Sequence, residues 1–164
     1  MNYCPQCGNV LVVGVAGGRE RLLCSAACGY VYWNNPLPVV GAIVEYENDT
    51  VVLIQNRGWP ADWFGLVTGF LEAGEQPDQA VLREIKEETG LDAEIVERLG
   101  LYTFYQRNEI IVVYHVRARG EIQLDEEELQ AYKLVPIKEL KPWPFGTGPA
   151  VRDYLELRLH RLKD

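Results

Sequence analysis

Three glutamates crowd one short segment of this chain, REIKEETG at residues 83–90. If the segment is helical, a rotation of about 100° per residue puts Glu84, Glu87 and Glu88 on one face. Like charges spaced three and four residues apart repel each other and weaken a helix. A hard divalent cation such as Mg²⁺ or Mn²⁺ takes oxygen ligands and removes that cost. The segment therefore predicts a helix that binds a divalent cation or, as the alternative, a solvated acidic face.

The flanking residues supply the ends that a helix over residues 77–89 requires. Pro77 suits the first helical position, and Gly90 suits a left-handed C-terminal cap. Arg83 lies four residues before Glu87, where its guanidinium can hold that carboxylate in position. A second, apolar face of the same helix can be buried against a core, and it is formed by Val81, Leu82 and Ile85.

Four cysteines near the N-terminus form a C-x2-C pair and a C-x3-C pair. Four thiolates suit tetrahedral Zn²⁺ and leave no coordination position open for chemistry, so we predict a structural zinc ribbon over residues 1–35. Four free thiols are the alternative. Few basic residues surround the cysteines, which favours a scaffolding or dimerisation role over nucleic-acid binding. The predicted zinc ligands are Cys4, Cys7, Cys24 and Cys28.

A second domain is predicted over residues 36–164. Strands and helices are mixed there without regular alternation, which indicates an α/β or α+β class with a mixed sheet. An acidic loop, DEEELQ at residues 125–130, precedes the last predicted strand, and a final helix extends to about Leu162. The predicted strands cover residues 39–46, 51–55, 66–70, 93–104, 110–117 and 132–135.

The net charge of −8 excludes several classes of function. Binding to nucleic-acid phosphates or to an anionic membrane needs a basic surface, so neither is expected.

No apolar run is long enough to span a bilayer, and the N-terminus lacks the features of a signal peptide, so we expect a cytoplasmic protein. The single serine, Ser25, lies far from both histidines, which argues against a Ser-His-Asp hydrolase.

The spacing of fixed residues from Gly69 to Leu91 matches a known pattern. Gly69, Glu75, the pair Arg83-Glu84, the pair Glu87-Glu88 and Gly90 occupy the fixed positions of the Nudix box, G-x5-E-x7-R-E-U-x-E-E-x-G-U. The chain therefore resembles a Nudix hydrolase over about residues 38–140. The resemblance implies an α/β/α sandwich around a mixed sheet. It also implies that water cleaves the pyrophosphate of a nucleoside diphosphate linked to another moiety.

The resemblance also implies roles for individual residues. Glu84, Glu87 and Glu88, with the backbone carbonyl of Gly69, would bind Mg²⁺ or Mn²⁺. Glu75 and Arg83 would orient the helix and its carboxylates. The general base would be a glutamate of the box or one in a later loop, where Glu128 is placed best among Glu126, Glu127 and Glu128. A plain solvated loop is the alternative for this acidic run.

A zinc ribbon before a Nudix domain is similar to the NADH, FAD and ADP-ribose pyrophosphatase group, and it implies a homodimer. The S-Q-P-W-P-F-type motif of the NADH group does not follow the box, and a partial match, KPWPFGTG, stands at residues 141–148. It is either a ligand loop or a lead into the last helix. The alternative function is a catalytically silent Nudix-fold module that uses the ribbon for protein or nucleic-acid contacts.

Aromatic residues on both sides of the box could stack on a base, or they could belong to the core. Arg57 and Arg107 are candidate phosphate or ribose contacts, with surface ion pairs as the alternative. His115 lies in an apolar strand and is expected to be a core residue. The aromatic candidates are Trp59, Trp63 and Phe64 before the box and Tyr102, Phe104 and Tyr105 after it.

Overall fold

The computed structural model describes residues 1–26 and 28–161. Its contacts divide the chain into two compact units, Met1–Asn35 and Pro36–Asp164. The predicted end of the last helix at Leu162, and the last three residues of the predicted second domain, lie outside the described residues. No helix in the described part of the chain has both the length and the apolar character needed to cross a membrane.

The N-terminal unit contains a small antiparallel sheet of three strands in the order β1-β2-β3. Its core is small: Cys4, Leu11 and Cys24 are its buried residues, with Leu22 and Tyr30 packed against them. Burial of so few side chains stabilises a fold only weakly, so this unit needs another source of stability. The sequence alone predicts none of these strands, which are β1 (Leu11–Ala16), β2 (Arg19–Cys24) and β3 (Val31–Tyr32).

The second unit contains a six-stranded mixed sheet and two α-helices. The strand order is β7-β8-β4-β5-β9, and β6 pairs with β4. The β4–β8 pair is parallel, and the other pairs are antiparallel. The strands are β4 (Leu37–Tyr46), β5 (Thr50–Asn56), β6 (Val67–Phe70), β7 (Asp92–Phe104), β8 (Glu109–Arg119) and β9 (Leu129–Pro136), and the helices are α1 (Pro77–Thr89) and α2 (Gly148–Arg161).

Both faces of this sheet are buried, because apolar residues run continuously along its central strands. In β4, Val40 and Ala42 belong to the cluster that includes the apolar face of α1. The alternate residues Val39 and Ile43 belong to the cluster that includes α2. Successive side chains of a strand point to opposite faces, so one helix covers each face. The predicted α/β/α sandwich with a mixed sheet, preceded by a small cysteine-bearing unit, is confirmed.

The last strand is longer than the sequence predicts. β9 begins at Leu129, so the final two residues of the predicted acidic loop, Leu129 and Gln130, are part of the strand. Leu129 is fully buried and pairs with Asn56 where the register shifts beside Gln55. Burial of this one side chain extends the pairing into a segment whose composition indicates a loop.

Candidate functional site

The segment with the three glutamates is the C-terminal half of α1. The helix begins with Pro77 after Gln76, and it ends at Gly90, whose φ of 72° is left-handed and whose N–H donates to the Lys86 carbonyl oxygen. Thr89 also donates its hydroxyl to the Ile85 carbonyl oxygen at 2.6 Å. These bonds fix the helix end that carries the carboxylates.

Arg83 connects the carboxylates to one another. Its guanidinium donates two hydrogen bonds to Glu75, at 2.9 and 3.0 Å. It also donates to Glu84 at 2.8 Å and to Glu87 at 2.9 Å. A further bond reaches the Phe70 carbonyl oxygen at 3.2 Å and joins α1 to the end of β6. The hydrogen bonds that Arg83 donates to Glu75 lower the pKa of Glu75. The bonds that Arg83 donates to Glu75, Glu84 and Glu87 raise its own pKa.

Glu84 packs directly against the main chain of Gly69. A β-carbon at position 69 would lie 1.8 Å from the Glu84 Cδ atom, so a residue with a side chain cannot replace the glycine without movement of that carboxylate. Burial raises the pKa of Glu84, Arg83 opposes this rise, and Glu87 and Glu128 add to it. The structure therefore brings the Gly69 main chain and the Glu84 carboxylate together, although 15 positions separate them in the sequence.

Glu88 is the buried member of the group. Only 4% of its surface is exposed, and its Oε2 atom has no hydrogen-bond partner among the described residues. Burial, followed by the charges of Glu84, Glu128 and Asp125, raises the pKa of Glu88 to about 8. An ionised carboxylate without a partner is costly in such surroundings, so this side chain is suited to a bound cation.

The acidic loop lies against the C-terminal end of α1. The Gln123 N–H donates to the Thr89 carbonyl oxygen at 2.9 Å, and the Asp125 N–H donates to the Glu88 carbonyl oxygen at 3.1 Å. These bonds satisfy helix carbonyls that have no partner within the helix. Glu128 is exposed and close enough for its charge to raise the pKa of both Glu84 and Glu88.

Arg57 holds the same acidic loop. Its side chain donates to the Glu126 carbonyl oxygen, and its N–H donates to the Glu128 carbonyl oxygen at 2.8 Å. In this structure Arg57 therefore contacts the loop that carries Glu128. The sequence does not predict these contacts, because a backbone carbonyl can accept from Arg57 whatever side chain the loop residue has.

The donor set of this cluster fits a hard divalent cation. It offers carboxylate oxygens from Glu84, Glu87 and Glu88, beside the partly buried main chain of Gly69. Oxygen ligands are those that Mg²⁺ and Mn²⁺ prefer. The partnerless buried oxygen of Glu88 is the observation that favours this fit. Glu87 is 59% exposed at its side chain, so solvent ligands can reach the same place.

A cavity of about 370 Å³ with aromatic walls lies in the second unit. The Phe145 ring lies between two others, with its centroid 6.1 Å from that of Trp63 and 6.2 Å from that of Phe104. Thr68 also lines the cavity, and it directly precedes Gly69 in β6. The aromatic lining residues are Trp59, Trp63, Phe64, Phe104, Trp143 and Phe145.

Not all of the candidate aromatic residues line this cavity. Tyr102 is partly buried and donates its hydroxyl to Asp153 at 2.9 Å, and Tyr105 is 84% exposed. The segment KPWPFGTG contributes four residues to the lining: Trp143, Phe145, Gly146 and Thr147. Its approach to the aromatic row depends on a glycine, because a β-carbon at Gly146 would lie 3.3 Å from Phe104.

The two remaining basic candidates have different surroundings. Arg107 lines the cavity and lies 5.9 Å from the Phe104 ring centroid. His115 is buried, and its Nε2 atom lies 2.7 Å from the Glu45 Oε2 atom, as a core residue with a polar partner would. No sequence pattern indicates that Glu45 is this partner, since 70 positions separate the two residues.

The four cysteine sulfurs converge in the first unit. The Sγ atoms of Cys4 and Cys28 are 3.6 Å apart, those of Cys7 and Cys24 are 3.3 Å apart, and all four lie within 4.8 Å of one another. Tetrahedral zinc–thiolate bonds place sulfurs about 3.8 Å apart. No disulfide joins these residues. Hydrogen bonds from Asn9 lower the pKa of Cys7 to about 6, which favours the thiolate that zinc binds.

Comparison with known proteins identifies the family of the second unit. Residues 35–154 match the NUDIX domain family. The chain is 26% identical over 160 residues to the NAD-capped RNA hydrolase NudC of Pseudomonas aeruginosa, covering 97% of this chain and 56% of that protein. It is 30% identical over 133 residues to the ADP-ribose pyrophosphatase of Methanocaldococcus jannaschii, covering 77% of each.

A solved structure shares the fold of nearly the whole chain. The NUDIX hydrolase from Nitrosomonas europaea superposes with a TM-score of 0.79 at 24% identity, covering 98% of this chain and 93% of that one. This chain spans just over half the length of the NudC relative.

Proposed function

Because this chain belongs to the Nudix hydrolase family, we propose that it hydrolyses the pyrophosphate bond of a nucleoside diphosphate linked to another moiety, with Mg²⁺ or Mn²⁺ as cofactor. The observation that carries this proposal is the Glu88 carboxylate, buried without a partner for one oxygen beside Glu84 and Gly69. A bound cation stabilises the ionised form of such a cluster, and a pyrophosphate is a ligand that brings divalent cations with it.

The substrate class follows from the relatives. One is named for hydrolysis of NAD-capped RNA and the other for hydrolysis of ADP-ribose. Both names point to an adenosine diphosphate attached to a second group. We therefore propose a dinucleotide such as NADH or FAD, or ADP-ribose, as the substrate. The aromatic cavity beside β6 supports this class, because a base can stack on its walls.

Each acidic residue has a proposed task. Glu84, Glu87 and Glu88, with the Gly69 carbonyl, hold the metal, and Arg83 keeps Glu84 and Glu87 in position. When bound, the metal neutralises the diphosphate and lowers the pKa of the attacking water. Glu128 is the proposed general base, since it stands beside this cluster and is open to solvent.

The cysteine group is the proposed structural zinc site. Four converging sulfurs support it, and two of the three buried residues in the small core, Cys4 and Cys24, carry them. Zinc supplies the stability that hydrophobic burial does not. The homodimer that the family resemblance implies stays a prediction.

A catalytically silent binding module is the second candidate. The experiment that separates the two incubates the protein with Mg²⁺ or Mn²⁺ and a panel of NADH, NAD⁺, FAD, ADP-ribose and nucleoside triphosphates. Release of a mononucleotide from one member of the panel supports the enzyme. Hydrolysis of no member at any tested metal concentration favours the binding module.

A variant pair links the turnover to the cluster. Glu87→Gln changes an exposed side chain and should lower kcat by about 1000-fold, as loss of a group that stabilises transition-state charge does. Glu94→Gln, an exposed glutamate on β7, is the matched control and should keep the full rate. Equal rates for both variants would show that Glu87 is not a ligand of the catalytic metal.

A further inference from the structure

A second buried carboxylate lies outside the metal cluster, in the aromatic cavity. Glu109 is the first residue of β8, only 8% of its surface is exposed, and it lines the cavity. Glu109, Ile111 and Val113 are alternate residues of β8, so their side chains point to the same face of the sheet. Ile111 and Val113 belong to the cluster on the α2 side. The proposed metal site does not use this residue, because Glu84 and its partners lie on the α1 side.

The cavity around Glu109 has the form of a site for a flat ring. Phe104, Phe145 and Trp63 supply stacked or tilted ring faces along one side. Its volume of about 370 Å³ falls in the range of ligand pockets, which are mainly apolar with a few polar groups that fix orientation. Glu109 is a buried polar group of this kind, and Arg107 adds a cation to the lining.

The cavity and the glutamate cluster meet at two adjacent residues of β6. Thr68 lines the cavity, and the next residue, Gly69, carries the main chain against which Glu84 packs. Successive residues of a strand are about 3.8 Å apart at their α-carbons. β6 therefore connects the cavity to the glutamate cluster through adjacent residues whose side chains point to opposite faces of the sheet.

We propose that Glu109 determines the base specificity of this protein by hydrogen bonding to the 6-amino edge of an adenine held in the aromatic cavity. The inference rests on the proposed function, since it names the base of that substrate. Adenine presents an amino donor beside a ring-nitrogen acceptor. A neutral carboxyl group presents one acceptor and one O–H donor, and so complements both atoms.

Burial of Glu109 in the cavity shifts its protonation equilibrium toward this neutral form. Burial raises the pKa of Glu109, and the nearby Arg107 opposes that rise less strongly. An ionised carboxylate would instead offer two acceptors and would suit guanine, whose Watson–Crick edge carries two neighbouring donors. Glutamine keeps one acceptor and one donor, so it imitates the neutral acid and not the carboxylate.

The test measures binding without turnover. AMP and purine riboside 5′-monophosphate, which lacks the 6-amino group, are titrated in buffer without added Mg²⁺ or Mn²⁺. Quenching of tryptophan fluorescence reports the occupied cavity, because three of its lining residues are tryptophans. The wild-type protein should prefer AMP by about 10-fold, as one well-placed pair of hydrogen bonds to a base provides.

Two substitutions at Glu109 separate the possible outcomes. Glu109→Gln should keep the preference for AMP, and Glu109→Leu should bring the two affinities to within about 2-fold by removing both hydrogen bonds. Glu94→Gln, at an exposed carboxylate of β7 outside this lining, is the control and should keep the preference. Thermal melting shows whether each variant is folded, and Glu109→Gln tests the proposal even if Glu109→Leu is not.

Three results would overturn the proposal. The first is a folded Glu109→Leu protein that prefers AMP as strongly as the wild type does. The second is a wild-type protein that binds AMP and purine riboside 5′-monophosphate equally well. The third is a Glu109→Gln protein that loses the preference for AMP, together with a wild-type protein that binds GMP more tightly than AMP. These results are independent of catalysis. A protein that hydrolyses ADP-ribose but shows any of them retains the proposed function and loses this inference. A protein with the predicted binding pattern but no hydrolysis loses the proposed function alone.

Discussion

The Glu84 carboxylate lies against the α-carbon of Gly69, so closely that a β-carbon there would be 1.8 Å from Glu84 Cδ. This contact joins β6 to α1 at the point where the proposed metal ligands meet. Gly69→Ala should therefore displace the carboxylate and lower kcat by about 100-fold, the cost of a misplacement of about 1 Å. Steady-state hydrolysis of the best substrate measures it.

The control for this prediction is Phe70→Leu. Phe70 is the next residue of β6 and is exposed, and Arg83 uses only its carbonyl oxygen, which the substitution keeps. A Gly69→Ala protein with the wild-type kcat would show that the close contact has no role in catalysis.

Arg83→Lys tests whether the fork of hydrogen bonds positions the carboxylates. One guanidinium contacts Glu75, Glu84, Glu87 and the Phe70 carbonyl oxygen at the same time, which a lysine ammonium cannot do. We expect kcat to fall by about 10–100-fold, as it does when partners that orient metal ligands are removed, with KM changed less. Arg152→Lys, at an exposed arginine of α2, should leave both constants unchanged. A rise in KM with unchanged kcat would indicate a substrate contact instead.

Much of the catalytic segment can be predicted from sequence because its determinants are local. Helical periodicity, Pro77 and Gly90 define α1 with the bounds that the structure shows. The proposed ligand that is distant along the chain, Gly69, is indicated only by the family spacing. Periodicity cannot indicate it, because the close approach to Glu84 depends on how β6 packs against α1.

Other parts of the site depend on contacts that leave no pattern in the sequence. The acidic loop is held by backbone bonds to Thr89 and Glu88 and by Arg57, and none of these needs a particular loop side chain. In the sequence, Glu109 is a single polar residue at the start of a strand. The cavity around it forms only where three segments pack together, so the sequence does not predict it. The strands of the N-terminal unit are short and mostly exposed, so they lack the apolar alternation that predicts strands.

Zinc content tests the role of the cysteines. We expect about one zinc ion per chain by elemental analysis, because four converging sulfurs complete a tetrahedral site. Cys7→Ser should bind less zinc, since it removes the thiol whose pKa is lowered to about 6. Ser25→Ala, at an exposed residue next to Cys24, should keep the full content. A wild-type protein purified without chelators that contains no zinc would contradict the assignment.

The contact between Glu45 and His115 predicts a dependence of stability on pH. Burial acts to raise the pKa of Glu45, but the hydrogen bond to His115 and the charges of His115 and Arg158 outweigh it, and the pKa is lowered. A carboxyl group with a lowered folded-state pKa stabilises the fold above its unfolded value of 4.5, and this contribution is lost as pH falls through the folded pKa.

Glu45→Gln should therefore lower the free energy of unfolding at pH 7 by about 1–3 kcal/mol, the cost of an unsatisfied buried group. Urea unfolding of both proteins measures the difference, which should shrink as pH falls below 4.5. Glu94→Gln, at an exposed position, gives the baseline. A difference that stays constant from pH 7 to below 4.5 would show that the Glu45 pKa is not lowered by folding.

The most direct test of the glutamate cluster is Mn²⁺ binding, followed by the loss of the free-ion signal in electron paramagnetic resonance. The wild-type protein should bind Mn²⁺, and Glu88→Gln, which removes a carboxylate ligand but keeps the shape of the side chain, should bind it at least about 10-fold more weakly. Glu94→Gln should bind as tightly as the wild type. Equal Mn²⁺ affinity in the wild type and in a folded Glu88→Gln protein would contradict the metal site on which the proposed hydrolysis depends.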